Sequence, residues 1–261
     1  LFITTFFLLN KFYLLWGWMC CIPNCFLGEF MHHPIYVYRC GAVIRNNKFK
    51  CVVQKGTPGV KIEGHMYLYP SFAKITSPLD NVFFENNIFN DHDCKHIEAN
   101  GEPQHGLNVA GLAIHAYDSE YPINIVGNIF NGDFTDNVIV VNNIPSTIKN
   151  NTFNCMLTDV TTTIMYISST ENINIESNHF IECDALALID IWKSNKINIT
   201  NNVINNCLLS NIIHSVSGKD LNISKNDILS IQFKDNDKNY ISVIWLSAHT
   251  DSGKISPENM I

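Results

Sequence analysis

A pattern of alternating apolar and polar residues that ends at an asparagine recurs along this chain. Its form is apolar-x-apolar-x-x-Asn-x-(Phe/Ile), and clear copies occupy residues 82–89, 123–130 and 197–204. Period-two alternation predicts a β-strand, and no helical period separates the copies. A second apolar run follows most copies, as at 164–168 and 187–192. The seven copies place their asparagines at Asn47, Asn87, Asn128, Asn151, Asn178, Asn202 and Asn226.

The spacing of these asparagines predicts a solenoid. The first two intervals are 40 and 41 residues, and the remaining four are 23, 27, 24 and 24. A β-only unit of this size cannot bury its own apolar face, whereas stacked copies can. We therefore predict an all-β fold, a single-stranded parallel β-helix with about 24 residues per coil, across residues 31–261. The general handedness of parallel connections favours right-handed winding.

Stacking also gives the repeated asparagines a structural role. Strands in neighbouring coils lie about 4.8 Å apart, so an Asn at one turn lies directly over the next. Their amides are expected to form a hydrogen-bonded ladder, and Asn also tolerates the left-handed turn conformation. Cysteines follow the same period at Cys51, Cys155, Cys183 and Cys207. Periodic placement favours buried thiols, with disulfides between coils as the alternative.

The Ile-x-Ile-x-x-Asn-x-Phe rhythm resembles the right-handed parallel β-helix repeat of pectin-lyase-like proteins over about residues 40–255. The resemblance implies the fold. It does not imply one activity, because that superfamily includes polysaccharide lyases, glycoside hydrolases, epimerases, tailspikes and repetitive surface proteins. Its usual catalytic elements, such as the Asn-Thr-Asp and Asp-Pro-His motifs, are absent from this sequence. Function must therefore be argued from side chains on the fold.

Both ends of the chain differ from the repeat. Residues 1–30 are mostly apolar and are interpreted as a leader or anchor remnant, a cap over the first coil, or a mis-predicted start. Membrane association is expected only through this segment. Residues 254–261 look like the opening of a further, truncated repeat, and an open last coil would expose strand edges that favour self-association.

Composition and charge bear on the expected partners and localisation rather than on the fold. The chain has 261 residues, 34 of them Asn, and a formal net charge of −7, which argues against nucleic acid as a partner. Three N-glycosylation triplets begin at Asn150, Asn198 and Asn222. We expect an extracellular or cell-surface protein that has no cofactor, with calcium considered only if it is a lyase.

Two insertions lengthen the first coils, near residues 52–80 and 92–107. Long loops on a rigid scaffold often carry function. The second begins beside Asp91, His92, Asp93 and His96, which could bind a divalent metal ion. An ordinary solvated loop is the alternative interpretation, because the two histidines would share a face only on a helix.

The outward face of the second apolar run offers a candidate ligand site. Asp190 and His214 are expected one coil apart, within reach of an Asp–His hydrogen bond, and nearby aromatic rings could pack against sugars. The outward column is predicted to read His115, Val141, Tyr166, Asp190 and His214, with Tyr117, Asn143, Ser168, Trp192 and Val216 beside it.

Three hypotheses of function follow. The first is a non-enzymatic β-helix that binds a polysaccharide, a glycoprotein glycan or another partner through His115, Tyr117, Tyr166, Asp190, Trp192 and His214. The second is a polysaccharide lyase or glycoside hydrolase in which Asp190, His214 and Tyr166 are the catalytic candidates. The third is a piece of a larger repetitive adhesin.

Overall fold

The computed structural model describes residues 25–29, 35–53, 71–90, 112–134, 137–157, 162–234, 242–247 and 254–255. These residues contain strands and turns, with no α-helix. None of the described segments forms a helix with the length and apolar character of a membrane span. The strands are β1 (Cys25–Glu29), β2 (Ile35–Tyr38), β3 (Ala42–Arg45), β4 (Lys48–Val53), β5 (Ser71–Thr76), β6 (Val82–Glu85), β7 (Ile88–Asn90), β8 (Leu112–Tyr117), β9 (Ile123–Val126), β10 (Ile129–Phe134), β11 (Ile139–Asn142), β12 (Ser146–Lys149), β13 (Thr152–Leu157), β14 (Thr163–Ser168), β15 (Glu171–Glu176), β16 (His179–Ile181), β17 (Asp184–Trp192), β18 (Asn195–Thr200), β19 (Val203–Asn205), β20 (Cys207–Val216), β21 (Lys219–Ser224), β22 (Asp227–Ile228), β23 (Ile231–Phe233), β24 (Ser242–Ser247) and β25 (Lys254–Ile255).

All strand pairs are parallel, and each strand pairs with its equivalent in the next coil. The seven strands that precede the ladder asparagines form an eight-stranded sheet together with β25, and the other strands form a seventeen-stranded sheet. The larger sheet contains two series of strands. One runs from β1 through β4 and β7 to β22, and the other runs from β2 through β5 and β8 to β24. The predicted parallel β-helix of about 24 residues per coil is confirmed. Right-handed winding stays a prediction.

The interior of the helix is a continuous apolar core. Inward positions of successive coils carry Ile, Val, Leu or Phe, and nearly all of these side chains are fully buried. Two residues after each of the first five ladder asparagines lies a phenylalanine, and these rings stack on one another from coil to coil at centroid distances of 4.7 to 5.0 Å. These rings are Phe49, Phe89, Phe130, Phe153 and Phe180.

The predicted asparagine ladder is confirmed across all seven positions. From Asn87 onward, each side-chain oxygen accepts two hydrogen bonds from the preceding ladder asparagine, one from its backbone N–H and one from its Nδ2, at 2.8 to 3.0 Å. Each Nδ2 from Asn87 onward also donates to a main-chain carbonyl of the preceding coil, as Asn178 does to Ile148 at 2.9 Å. The ladder therefore satisfies buried polar groups at one corner of every coil.

The ladder asparagines do not adopt the left-handed conformation that the sequence suggests for them; the residue before each of them does. Asn46, Asn86, Asn150 and Asn201 all have φ between 54 and 57°. In one coil this position is Gly127, at φ 68°, where an added Cβ would lie 2.5 Å from the Asn86 side-chain oxygen. The ladder asparagine follows the turn because its amide must point inward along the stack.

Cys155, Cys183 and Cys207 are buried on successive coils and carry thiols rather than disulfides. Each Sγ–H donates to the carbonyl of a phenylalanine in the preceding coil, at 3.4 to 3.7 Å. Burial raises the pKa of the Cys183 thiol well above its ordinary value. The predicted buried thiols are thus confirmed at these three positions, while the side chain of Cys51 lies outside the described part.

Candidate functional site

The candidate site lies on the outward side of strands β8, β11, β14, β17, β20 and β24. Their in-register pairing aligns His115, Val140, Tyr166, Asp190, His214 and Trp245 in one column. A second column, two residues further along each strand, consists of Tyr117, Asn142, Ser168, Trp192, Val216 and Ser247. The side chains of His115 and Tyr117 lie outside the described part.

The sequence prediction was wrong by one residue in β11. Val141 is fully buried, and Val140 takes the outward position beside Tyr166. Likewise, Asn142 rather than Asn143 is the partner of Ser168. Counting back from the following repeat failed here because four residue steps lead from Asn142 to Ser146, whereas five lead between their register partners, Ser168 and Ile173. Those later coils contain an extra left-handed residue, such as Asn172 at φ 59°.

Asp190 and His214 form the hydrogen-bonded centre of the column. They are partners in β17 and β20, and Asp190 Oδ1 lies 2.9 Å from His214 Nδ1. The carboxylate side chain is 12% exposed and the imidazole 23% exposed. A carboxylate at Nδ1 favours the tautomer with its proton on that nitrogen and makes Nε2 the ring atom left for a ligand.

Two tryptophans flank the imidazole. The Trp192 ring meets the His214 ring edge-on at a centroid distance of 5.8 Å, and Trp245 does so at 5.5 Å. Both tryptophans are half-buried, as is Tyr166 beyond Asp190. The Trp192 indole nitrogen is buried and makes no hydrogen bond. The site thus combines one polar pair with aromatic surface on both sides of it.

Sequence reasoning missed Trp245 as a member of this site. In the sequence, residues 241–246 form an apolar run, and no complete repeat follows this run from which its inward positions could be counted. The signal that could have found Trp245 is the sequence Val243-Ile244-Trp245-Leu246, which aligns with Ile212-Ile213-His214-Ser215.

The predicted metal candidates Asp91, His92, Asp93 and His96 lie outside the described residues, as does the insertion at 92–107. Of the other insertion, only residues 52–53 and 71–80 are described. Within the described ranges, no three His, Cys, Asp or Glu side chains come together as metal ligands would. The metal prediction therefore stays a prediction.

Comparisons with protein-family models, curated proteins and solved structures found no significant match to this chain. The parallel β-helix is therefore established by the structure, and any function has to be argued from its side chains.

Proposed function

We propose that this protein is an extracellular or cell-surface β-helix of the pectin-lyase-like type that binds glycans on the column around His214. The observation that carries the proposal is the placement of Trp192 and Trp245 on both sides of the Asp190–His214 pair. Half-buried indoles offer rigid apolar faces, and the polar pair offers hydrogen-bonding groups between them. Sugars present the matching combination of apolar C–H faces and hydroxyls.

The shape of the column favours a polymer over a compact ligand. The six residues from His115 to Trp245 lie on strands that are about 4.8 Å apart, so they extend for about 24 Å along the helix axis, and the same strand series continues through β5 to β2. From Val140 to Trp245 the column carries one carboxylate, Asp190, and no lysine or arginine. An extended neutral polysaccharide therefore suits this part of the face better than a strongly acidic one, whereas Lys74, the register partner of His115 in β5, lies beyond its other end.

Binding to a panel of soluble oligosaccharides, measured by titration calorimetry, tests the proposal. We expect Trp192→Ala to weaken binding about tenfold or more, because it removes aromatic surface. Trp192→Phe should bind within about threefold of the parent, since it retains a six-membered aromatic ring and the N–H that it loses makes no hydrogen bond. Tyr121→Ala is a matched control, because this exposed aromatic residue lies outside the column. The proposal fails if no oligosaccharide binds, or if Trp192→Ala binds as well as the parent.

Catalysis on a polysaccharide is the second candidate function. The 2.9 Å contact between Asp190 and Nδ1 of His214 favours it, because a carboxylate that orients an imidazole is a common general-base arrangement. Reducing-sugar and unsaturated-product assays, with and without calcium, would detect hydrolase or lyase activity. If the parent is active and both Asp190→Ala and His214→Ala are inactive, the catalytic function replaces the binding-only proposal. In that case Tyr166 becomes the next residue to substitute.

The third candidate, part of a larger repetitive adhesin, has no described residue that favours it over the other two. Expression of the gene's full transcript product would test it directly.

A further inference from the structure

Two glycosylation triplets that are distant in sequence become neighbours in the fold. Asn198-Ile199-Thr200 lies in β18 and Asn222-Ile223-Ser224 lies in β21. The pairing of these strands sets Asn198 beside Asn222 and Thr200 beside Ser224. Both asparagines are on the outward side of the eight-stranded sheet, because Ile197, Ile199 and Ile223 beside them are buried.

The two amides are also hydrogen-bonded to each other. Asn222 Nδ2 donates to Asn198 Oδ1 at 3.2 Å. In this bond Asn198 uses its oxygen, so a sugar on the Asn198 nitrogen leaves the bond intact. A sugar on Asn222 would instead be attached to the nitrogen that donates. Asn198 is also the more exposed residue of the two.

We propose that Asn198 is an N-glycosylation site, that Asn150 is a second, and that Asn222 stays unmodified whenever Asn198 carries a glycan. N-linked glycans are bulky, and the two strands are only about 4.8 Å apart. Two branched glycans on directly paired residues would therefore compete for the same space. Asn150 is an exposed turn residue at φ 55° and has no such neighbour, because the equivalent residues of the adjacent coils are Gly127 and Ser177. The proposal rests on the proposed extracellular localisation and is independent of the proposed ligand.

Glycopeptide mapping of the full chain, secreted from yeast behind a heterologous signal sequence, tests this proposal. We expect glycans at Asn150 and Asn198, and fewer than about one in ten chains modified at Asn222. In Asn198→Gln, the removal of the competing glycan should raise occupancy at Asn222 several-fold. Asn174→Gln is the matched control, because Asn174 precedes Asn198 in the same column but begins no glycosylation triplet.

Occupancy on the secreted chains decides the outcome. The cell-retained chains are mapped in parallel. Glycans can be attached to both Asn198 and Asn222 while the chain is unfolded, and such doubly modified chains would then fail to fold and stay in the cell. A secreted pool with glycans on both Asn198 and Asn222 of one chain would overturn the proposal. So would a preference for Asn222, or no glycan at any of the three triplets. Oligosaccharide binding is measured separately, so failure here leaves the proposed function standing.

Discussion

At the scale of single residues, the ladder asparagines are the positions at which the fold restricts the residue type most strongly. Asn178 is fully buried and takes part in four hydrogen bonds through its side chain. It accepts from the backbone and side chain of Asn151, and it donates to Ile148 O and Asn202 Oδ1. No other residue type presents an acceptor and two donors from so short a side chain. Each ladder position therefore tolerates little besides Asn.

We expect Asn178→Ala to lower the free energy of unfolding by about 3 kcal/mol or more. The substitution leaves several buried polar groups without partners, and each one costs about 1–3 kcal/mol. Asn205→Ala is the control, because Asn205 is an exposed residue of β19, and its change should stay within about 0.5 kcal/mol. Urea denaturation of both variants measures the difference. Equal destabilisation by the two variants would contradict the structural role of the ladder.

Residue-level prediction from the sequence succeeded where the repeat is regular. The ladder could be predicted because one residue type recurs at one period. The outward position of Val140 could not be predicted. The connection from Asn142 to Ser146 is one residue shorter than its equivalent in the next coil, which shifts the inward and outward positions without changing the apolar pattern. The left-handed turn residues were also missed, since Asn46, Ser177 and Lys225 share a conformation but not a residue type.

At the scale of strands, the aromatic stack inside the helix ends before the helix does. Phe180 is the fifth stacked ring, and its register partners in the next coils are Ile204 and Ile228. A small cavity lies next to these residues and is lined by Phe180, Ile204, Ile228, other apolar side chains and the ladder residues Asn202 and Asn226. The smaller isoleucines thus leave space that a ring could fill.

Extension of the stack should stabilise the protein. We expect Ile204→Phe to raise the free energy of unfolding by about 1 kcal/mol, through added apolar burial and ring stacking on Phe180. Phe153→Ile, the reverse exchange in the middle of the stack, should lower it by about 1–3 kcal/mol. Chemical denaturation of the pair provides the measurement. A destabilised Ile204→Phe variant would mean that the cavity cannot accept a ring without strain.

At the scale of the whole molecule, the structure is a series of coils in which each coil contacts chiefly its neighbours. Such solenoids have stabilities that approximate sums over coils and the interfaces between them. The regular 24-residue intervals from Asn178 to Asn202 and from Asn202 to Asn226 make two coils nearly interchangeable. This regularity made the architecture predictable from the sequence. The structure of the long insertions was not predictable, because they contain no repeated pattern.

Deletion of one complete coil should therefore leave a folded protein. Removal of residues 179–202 joins Asn178 to Val203 and restores a 24-residue interval to Asn226. We expect a β-rich circular dichroism spectrum and cooperative unfolding at a lower urea concentration than the parent. Removal of residues 179–190 takes out only half a coil and should abolish cooperative unfolding, because Asn202 then leaves the ladder. Similar behaviour of the two deletions would argue against coil-by-coil assembly.

The ladder also has a direction. Every link from Asn47 to Asn226 runs in the same sense, because the backbone N–H and one side-chain N–H of each asparagine are donated to the side-chain oxygen of the asparagine in the following coil. Amide dipoles aligned head to tail add together, and each bond polarises the next. The described ladder therefore acts as an electric dipole along the helix axis, negative toward Asn47 and positive toward Asn226. The two ends of this solenoid are electrostatically different even before any charged side chain is considered.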